Sequence, residues 1–96
     1  MTVGVARITF YIPGVASLKA KRKVVKSIVE KSKHRFNVSV AEVADQDLYQ
    51  KATVAVAVVG NEGREMNSLL DRIIDFMESL GVAEILSHEI ELIHFS

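Results

Sequence analysis

The hydrophobic positions along the chain repeat with two different periods, which predicts four strands and two helices. Four segments either alternate between apolar and polar residues or run through consecutive valines, as strands do. These predicted strands cover residues 3–12, 37–44, 52–59 and 83–95. Pro13-Gly14 ends the first strand, and a polar turn over 45–50 separates the second from the third. We therefore expect the second and third strands to pair as an antiparallel hairpin.

Two longer segments repeat their apolar residues at helical spacing. Ser17 is a suitable N-cap for a helix that runs to about Phe36, because its hydroxyl can accept from the free N–H groups of the first turn. The predicted buried stripe of this helix is Leu18, Val25, Ile28, Val29, Ser32 and Phe36. A second helix, from Glu62 to Leu80, is expected to stop at Gly81. Its predicted buried face is Met66, Leu69, Leu70, Ile73, Met77 and Leu80.

The order β-α-β-β-α-β predicts an α+β fold of the ferredoxin-like kind. Right-handed crossovers place both helices on one face of a four-stranded antiparallel sheet, which gives an α/β sandwich. In the first strand, Gly4, Ala6, Ile8, Phe10 and Ile12 are predicted to face the helices. A chain of 96 residues, of which 49% are hydrophobic and 25% charged, is expected to form a single domain over 1–96 with one core.

Several protein classes are excluded by the composition. The chain has no cysteine, so it can form neither a disulfide framework nor a cysteine-based zinc site. Its N-terminus lacks the basic and apolar regions of a secretory signal, and its longest apolar run, 54–59, is far shorter than a membrane span. We therefore expect a cytoplasmic protein.

Four blocks of the sequence carry a family resemblance. They are Ile12-Pro13-Gly14, Ser17-Leu18-Lys19 with Lys21-Arg22 and Val24-Val25, Arg35 to Val43, and Asp47 to Ala52. In these blocks the chain resembles the YlxP-like proteins, an uncharacterised bacterial family also called domain of unknown function 503. The resemblance implies a ferredoxin-like fold and a gene neighbourhood often shared with ribosome-assembly and translation-initiation factors. It implies no activity, and it points toward RNA as a partner.

A formal net charge of zero conceals an uneven distribution of charge along the chain. Residues 1–35 hold nine Lys or Arg against Glu30 alone, a net charge of +8. Residues 36–96 hold three Lys or Arg against eleven carboxylates, a net charge of −8. A surface that collects one sign of charge attracts an oppositely charged polymer even when the whole molecule is neutral.

Five cations of the first predicted helix share one face. With Leu18 at zero and about 100° per residue, they lie between roughly 40 and 140°. These cations are Lys19, Arg22, Lys23, Lys26 and Lys33. Like-charge pairs one turn apart, such as Lys19/Lys23, destabilise a helix by a few tenths of a kcal/mol, about 0.2–0.5 each, so a ligand is a plausible reason for them. The alternative is a solvated face without a ligand.

The start of this helix extends the predicted site. Ser17 and the free N–H groups behind it lie where the helix dipole favours an anion. The alternative is an N-cap serine that serves only the helix. The predicted RNA- and anion-binding residues are Ser17, Lys19, Arg22, Lys23, Lys26 and Lys33. An rRNA or a ribosomal subunit is the predicted partner, and the predicted function is that of an RNA-binding, ribosome-associated accessory protein that contacts phosphates without reading sequence.

No catalytic residue, metal site or cofactor is predicted, and we do not expect an enzyme. His88 and His94 are about 20 Å apart on a strand, too far for one ion. Glu42, Asp45 and Asp47 are the one cluster of carboxylates, a composition that can do acid–base work or hold Mg²⁺, but Asx residues at a hairpin turn are more often turn formers. The pattern from Gly60 to Gly63 matches the GXXG loop of KH domains but is expected to be a turn and N-cap. RRM-like base stacking is not expected, since Tyr11 is the one candidate aromatic on the predicted central strands.

The face of the sheet that points away from the helices is also largely apolar. Its predicted members are Val3, Val5, Tyr11, Ala55, Ala57 and Val59. Such a surface is unfavourable in water, so we predict a homodimer that buries it. The alternative to RNA binding is a dimeric protein-interaction or small-ligand-sensing module.

Overall fold

The computed structural model describes residues 1–96 and has the predicted order of strands and helices. The elements are β1 (Thr2–Tyr11), α1 (Leu18–Arg35), β2 (Ser39–Ala44), β3 (Lys51–Gly60), α2 (Gly63–Ser79) and β4 (Glu84–His94). They form one antiparallel sheet in the order β2-β3-β1-β4, with β2 and β4 at its edges. The ferredoxin-like fold is therefore confirmed. β2 begins two residues later than predicted because Val38 N–H donates to the Phe36 carbonyl in a turn after α1.

The core lies between the sheet and the two helices. β1 buries every second residue, so that Ala6, Ile8 and Phe10 have no exposed surface. Most of the helical contribution comes from α2, whose buried residues are Met66, Leu70, Ile73, Ile74 and Met77. α1 packs on β2, and α2 packs on β1, β3 and β4. The two helices therefore lie side by side, with α1 nearer to the β2 edge and α2 nearer to the β4 edge.

The buried stripe of α1 differs from the predicted one. Its buried residues are Lys21, Val25, Ile28 and Ser32, whereas Leu18, Val29 and Phe36 are only partly buried. The stripe is displaced toward Lys21 because the ammonium group of this residue finds polar partners on β2 and in the following turn. No hydrophobic periodicity marks such a position.

The ends of the helices follow their capping residues. The Ser17 side chain accepts a hydrogen bond from Ala20 N–H at 3.1 Å, which confirms Ser17 as the N-cap of α1. Glu62 is the N-cap residue of α2 and makes no capping hydrogen bond with its side chain. Gly81 follows α2 with a φ of +69°, the left-handed conformation that ends helices. Neither helix is long and apolar enough to cross a membrane.

β4 pairs with β1 along almost its whole length, with one irregularity. Thr9 lies opposite Ser87 and Phe10 lies opposite Ile85, so Leu86 is an extra residue in β4. This β-bulge leaves the Leu86 side chain 58% exposed. The other edge of β4 has no strand beside it.

Candidate nucleic-acid interface

The five predicted cations of α1 are all exposed on one side of the helix, and we call this set the basic face. It consists of Lys19, Arg22, Lys23, Lys26 and Lys33. The protein has two ion pairs, Arg7–Glu89 and Lys21–Glu42, so no member of the basic face has a carboxylate partner. α1 also has no acidic residue in its first turn. The charges of the basic face are therefore free to bind an external anion.

Ser17 lies at the start of the basic face and already has an internal role. It is exposed, and its hydroxyl oxygen accepts from Ala20 N–H. The hydroxyl hydrogen and the oxygen's second lone pair stay available to solvent or to a ligand. Ser17 is thus a capping residue that can add a single hydrogen bond to a bound anion.

Glu30 also lies on the exposed side of α1, although it is absent from the predicted site. At about 100° per residue it lies at roughly 120° from Leu18, inside the sector of the five cations. It is exposed and forms no ion pair with Lys26, one turn earlier, or with Lys33. The exposed sector therefore carries a formal charge of +4, and a single carboxylate interrupts it near its C-terminal end.

Lys21 lies on the opposite side of α1 and is the centre of a buried polar cluster. Its side chain is 1% exposed, its Nζ donates to the Asp45 carbonyl at 2.6 Å, and Nζ lies 3.0 Å from Glu42 Oε2. The contact with Glu42 is an ion pair without hydrogen-bond geometry. This cluster ties α1 to the end of β2, which explains why a lysine occupies a core position.

Asp45 connects the same cluster to the outer side of the sheet. Its backbone has a φ of +63°, and its carboxylate accepts a hydrogen bond from the Thr53 hydroxyl at 2.6 Å. Thr53 lies on the outer side of β3 but is only 4% exposed, because Asp45 and Thr9 lie beside it. Glu42 and Asp45 thus hold the turn between β2 and β3, whereas Asp47 is exposed and makes no hydrogen bond or ion pair with its side chain.

The outer face of the sheet contains the six residues predicted for a dimer interface. Val59 is 64% exposed and Ala57 is exposed, while the rest of the set, Val3, Val5, Tyr11 and Ala55, is half-buried. Val3 lies opposite Val59 on β3 and opposite Ile93 on β4, which is 39% exposed. The apolar strip therefore crosses three strands, and Ile93 is a member that the sequence pattern did not reveal.

One charged pair lies beside this apolar strip. The Arg7 guanidinium donates to Glu89 Oε1 at 2.9 Å, and both side chains are more than half exposed. The hydrogen bond to Glu89, together with its negative charge, raises the pKa of Arg7 above its ordinary value. Because Arg7 lies on the inner strand β1 between Val5 and Tyr11, this pair places two charges within the outer face of the sheet.

The three histidines do not converge. No group of three or more histidine and carboxylate side chains lies close enough to hold one metal ion. His94 Nδ1 lies 3.1 Å from the Thr2 hydroxyl across the sheet, and His34 lies near the C-terminus of α1. The side chains therefore offer no assembled metal centre.

Several known proteins are similar to this chain. The profile of a family described as "Protein of unknown function (DUF503)" matches residues 3–90. "Uncharacterized protein YlxP" of Bacillus subtilis (strain 168) is 32% identical over 77 residues, which cover 80% of this chain and 84% of that protein.

Two solved structures share the fold over nearly the whole chain. "Structural Genomics, protein YJCS" has a TM-score of 0.59 and 11% identity, and the match covers 96% of this chain and 99% of that chain. "De novo designed protein Foldit4" has a TM-score of 0.52 and 17% identity, and the match covers 99% of this chain and 98% of that chain. At these identities the likeness shows the fold alone.

Proposed function

The chain belongs to the DUF503 family of proteins of unknown function, and we propose that it is a non-catalytic, ribosome-associated RNA-binding protein. The observation that carries the proposal is the basic face of α1, where five exposed cations lack carboxylate partners. A solvated helix is normally stabilised by neighbouring charges of opposite sign. α1 instead places Lys19 and Lys23, and Arg22 and Lys26, one turn apart. Phosphates of RNA would relieve that repulsion.

The dimensions of the basic face fit a run of phosphates. Lys19 and Lys33 are fourteen residues apart, which corresponds to about 21 Å along the helix. A strand of B-form DNA carries a phosphate about every 3.4 Å along the helix axis, so a face of this length can contact several phosphates of a nucleic acid. Lysine and arginine contacts to phosphates add affinity and give no sequence discrimination. We therefore propose binding to the RNA backbone and not to a particular base sequence.

The arrangement of the helices supports a defined orientation on the RNA. α1 carries eight Lys or Arg against Glu30, whereas α2 carries Arg64 and Arg72 against four carboxylates and β4 carries three carboxylates. Because α1 lies toward the β2 edge and α2 toward the β4 edge, the cations of α1 and the carboxylates of α2 and β4 lie toward opposite edges of the sheet. RNA is attracted to the α1 side and repelled from the other side.

We expect the binding of a fluorescent rRNA fragment to weaken steeply with salt. Each phosphate contact on a single strand contributes about 0.7 to the slope of log K against log salt, so five contacts give a slope of about −3.5. Fluorescence anisotropy measures this slope. The titrations run from about 50 to 200 mM KCl, because the affinity of phosphate contacts falls over this range of salt. A slope near zero, or no association with rRNA or ribosomal subunits at the lowest salt, would contradict the proposal.

We also propose that the outer face of the sheet binds a second copy of the chain. The supporting observation is the apolar strip through Val3, Val59 and Ile93, which is exposed in a single chain. A twofold axis through this strip would place the same apolar residues of both copies against each other. If the basic face binds no RNA, the alternative function is that of a dimeric protein-interaction or small-ligand-sensing module.

Substitution of Val59 with lysine is expected to convert the dimer to a monomer, because it places a charge at the β3 end of the apolar strip, on its most exposed residue. Light scattering at micromolar concentration should give twice the 10.6 kDa chain mass for the wild type and 10.6 kDa for Val59→Lys. Leu48→Lys is the matched control, since Leu48 is 48% exposed but lies in the turn between β2 and β3. A monomeric wild type, or equal dissociation of both variants, would argue against this interface.

A further inference from the structure

The largest concave surface of the protein lies between the two helices. It is an open groove of about 800 Å³ between the C-terminal parts of α1 and α2. Its α1 wall includes Lys31, Lys33, His34 and Arg35, and its α2 wall consists of Phe76 and Leu80. Ligand sites generally combine apolar or aromatic walls with a few polar groups in volumes of about 300–1,000 Å³. The cationic rim and the aromatic wall together favour a flat ligand that carries negative charge.

The Phe76 ring in the wall of this groove has two planar neighbours at the end of α1, Arg35 and Phe36. The Arg35 guanidinium carbon lies 5.9 Å from the centroid of the Phe76 ring. The Phe36 ring meets the Phe76 ring edge to face, with centroids 5.5 Å apart and planes at 79°. Phe76 is thus held from one side by Phe36 and contacted by Arg35, which is itself exposed. Arginine planes and aromatic rings are the side chains on which proteins stack unpaired RNA bases.

The groove is continuous with the basic face, because Lys33 belongs to both. A strand whose phosphates follow the basic face toward the C-terminus of α1 meets the groove at Lys33 and passes around the end of the helix to reach Arg35, which lies at roughly 260° from Leu18. Glu30 also lines the groove and is its one carboxylate. The Glu30 carboxylate would repel a phosphate. It can, however, accept a hydrogen bond from the amino group of a base.

We propose that this groove holds an unpaired base of the RNA, stacked on Arg35 beside Phe76, while the basic face binds the adjoining phosphates. The inference rests on the proposed RNA binding and adds a class of substrate, single-stranded RNA. A base within a duplex is already stacked between its neighbours and cannot enter the groove without leaving the helix. The groove therefore selects for single strands, whereas the basic face alone accepts either form.

The test compares Arg35→Lys with the wild type on a single-stranded RNA and on a duplex with the same number of phosphates in the bound length. Lysine keeps the charge but removes the planar surface. We expect Arg35→Lys to bind the single strand on the order of tenfold more weakly, with its salt slope and its duplex affinity unchanged. Phe76→Leu is expected to act in the same direction, because it removes the ring against which Arg35 lies.

Arg64→Lys is the matched control, since Arg64 is an exposed arginine in the first turn of α2, outside the groove. It should leave both affinities unchanged, and the far-ultraviolet circular dichroism of all three variants should match the wild type. Equal wild-type affinity for single strand and duplex, with no effect of Arg35→Lys, would overturn the groove proposal and leave the basic face intact. A wild type that binds neither RNA would overturn both proposals.

Discussion

Substitution of Lys21 with alanine is expected to lower the free energy of unfolding by about 3 kcal/mol. Removal of one partner from a buried ion pair typically costs about 3–5 kcal/mol, because the other charge is left without compensation. We expect the lower end of this energy range because the Glu42 side chain is 20% exposed, so water partly solvates the unpaired carboxylate. For a domain of this size, the loss corresponds to a fall in melting temperature of roughly 15 °C. Thermal and urea unfolding followed by circular dichroism measure both quantities.

Two comparisons separate the ion pair from other effects at the same position. Lys31→Ala removes an exposed lysine of α1 and should change the stability by less than about 0.5 kcal/mol. The double variant Lys21→Met/Glu42→Leu should be more stable than Lys21→Met alone, because it leaves no unpaired carboxylate. The Asp45 carbonyl keeps one partner in both, since it also accepts from Leu48 N–H at 3.1 Å. If Lys21→Ala unfolds like the wild type, the cluster does not stabilise the hairpin turn.

Charge reversal at the centre of the basic face is expected to have the largest effect on binding. Lys23→Glu/Lys26→Glu should weaken the RNA affinity by on the order of 100-fold and lower the salt slope by roughly 1.4. The two new carboxylates would lie beside phosphates, so repulsion adds to the lost attraction. Both lysines are exposed and unpaired, so the melting temperature should stay close to that of the wild type.

Arg64→Glu/Arg72→Glu is the matched control for this charge reversal. It makes the same change of net charge on α2, where both arginines are exposed on the acidic side of the molecule. Its RNA affinity should fall far less than that of the α1 variant in the same anisotropy assay. Similar losses for both double variants would mean that net charge, and not the basic face, controls association.

The fold was predictable from the sequence because its signals are local. The alternation of β1, the Ser17 cap and the Gly81 stop each depend on a few neighbouring residues, and the structure confirms all three. The same is true of the exposure of the basic face, which follows from helical spacing once the apolar stripe is known. Local patterns of this kind can be recognised in the sequence without any knowledge of tertiary contacts.

The features that were not predicted depend on residues far apart in the chain. Lys21 is buried because Glu42 and Asp45, more than twenty residues later, supply its partners. The helical groove depends on Phe76, forty residues after Phe36, being brought against the end of α1. In the sequence, Lys21 is one of several lysines in α1 and Phe76 is one apolar residue of an amphipathic helix. Their roles emerge only when the two halves of the fold pack together.

The free edge of β4 has a consequence for how this protein avoids aggregation. Eleven residues of backbone lie at the border of the sheet, and an unpaired strand of that length is a template for the addition of further strands. Glu84, Glu89 and Glu91 lie exposed along it, and the bulge at Leu86 interrupts its hydrogen-bonding register. If the β4 edges of two copies met, their carboxylates would repel each other and the bulges would disturb the hydrogen bonding between the strands. Glu84, Glu89 and Glu91 thus oppose the pairing of this edge with the same edge of a second copy.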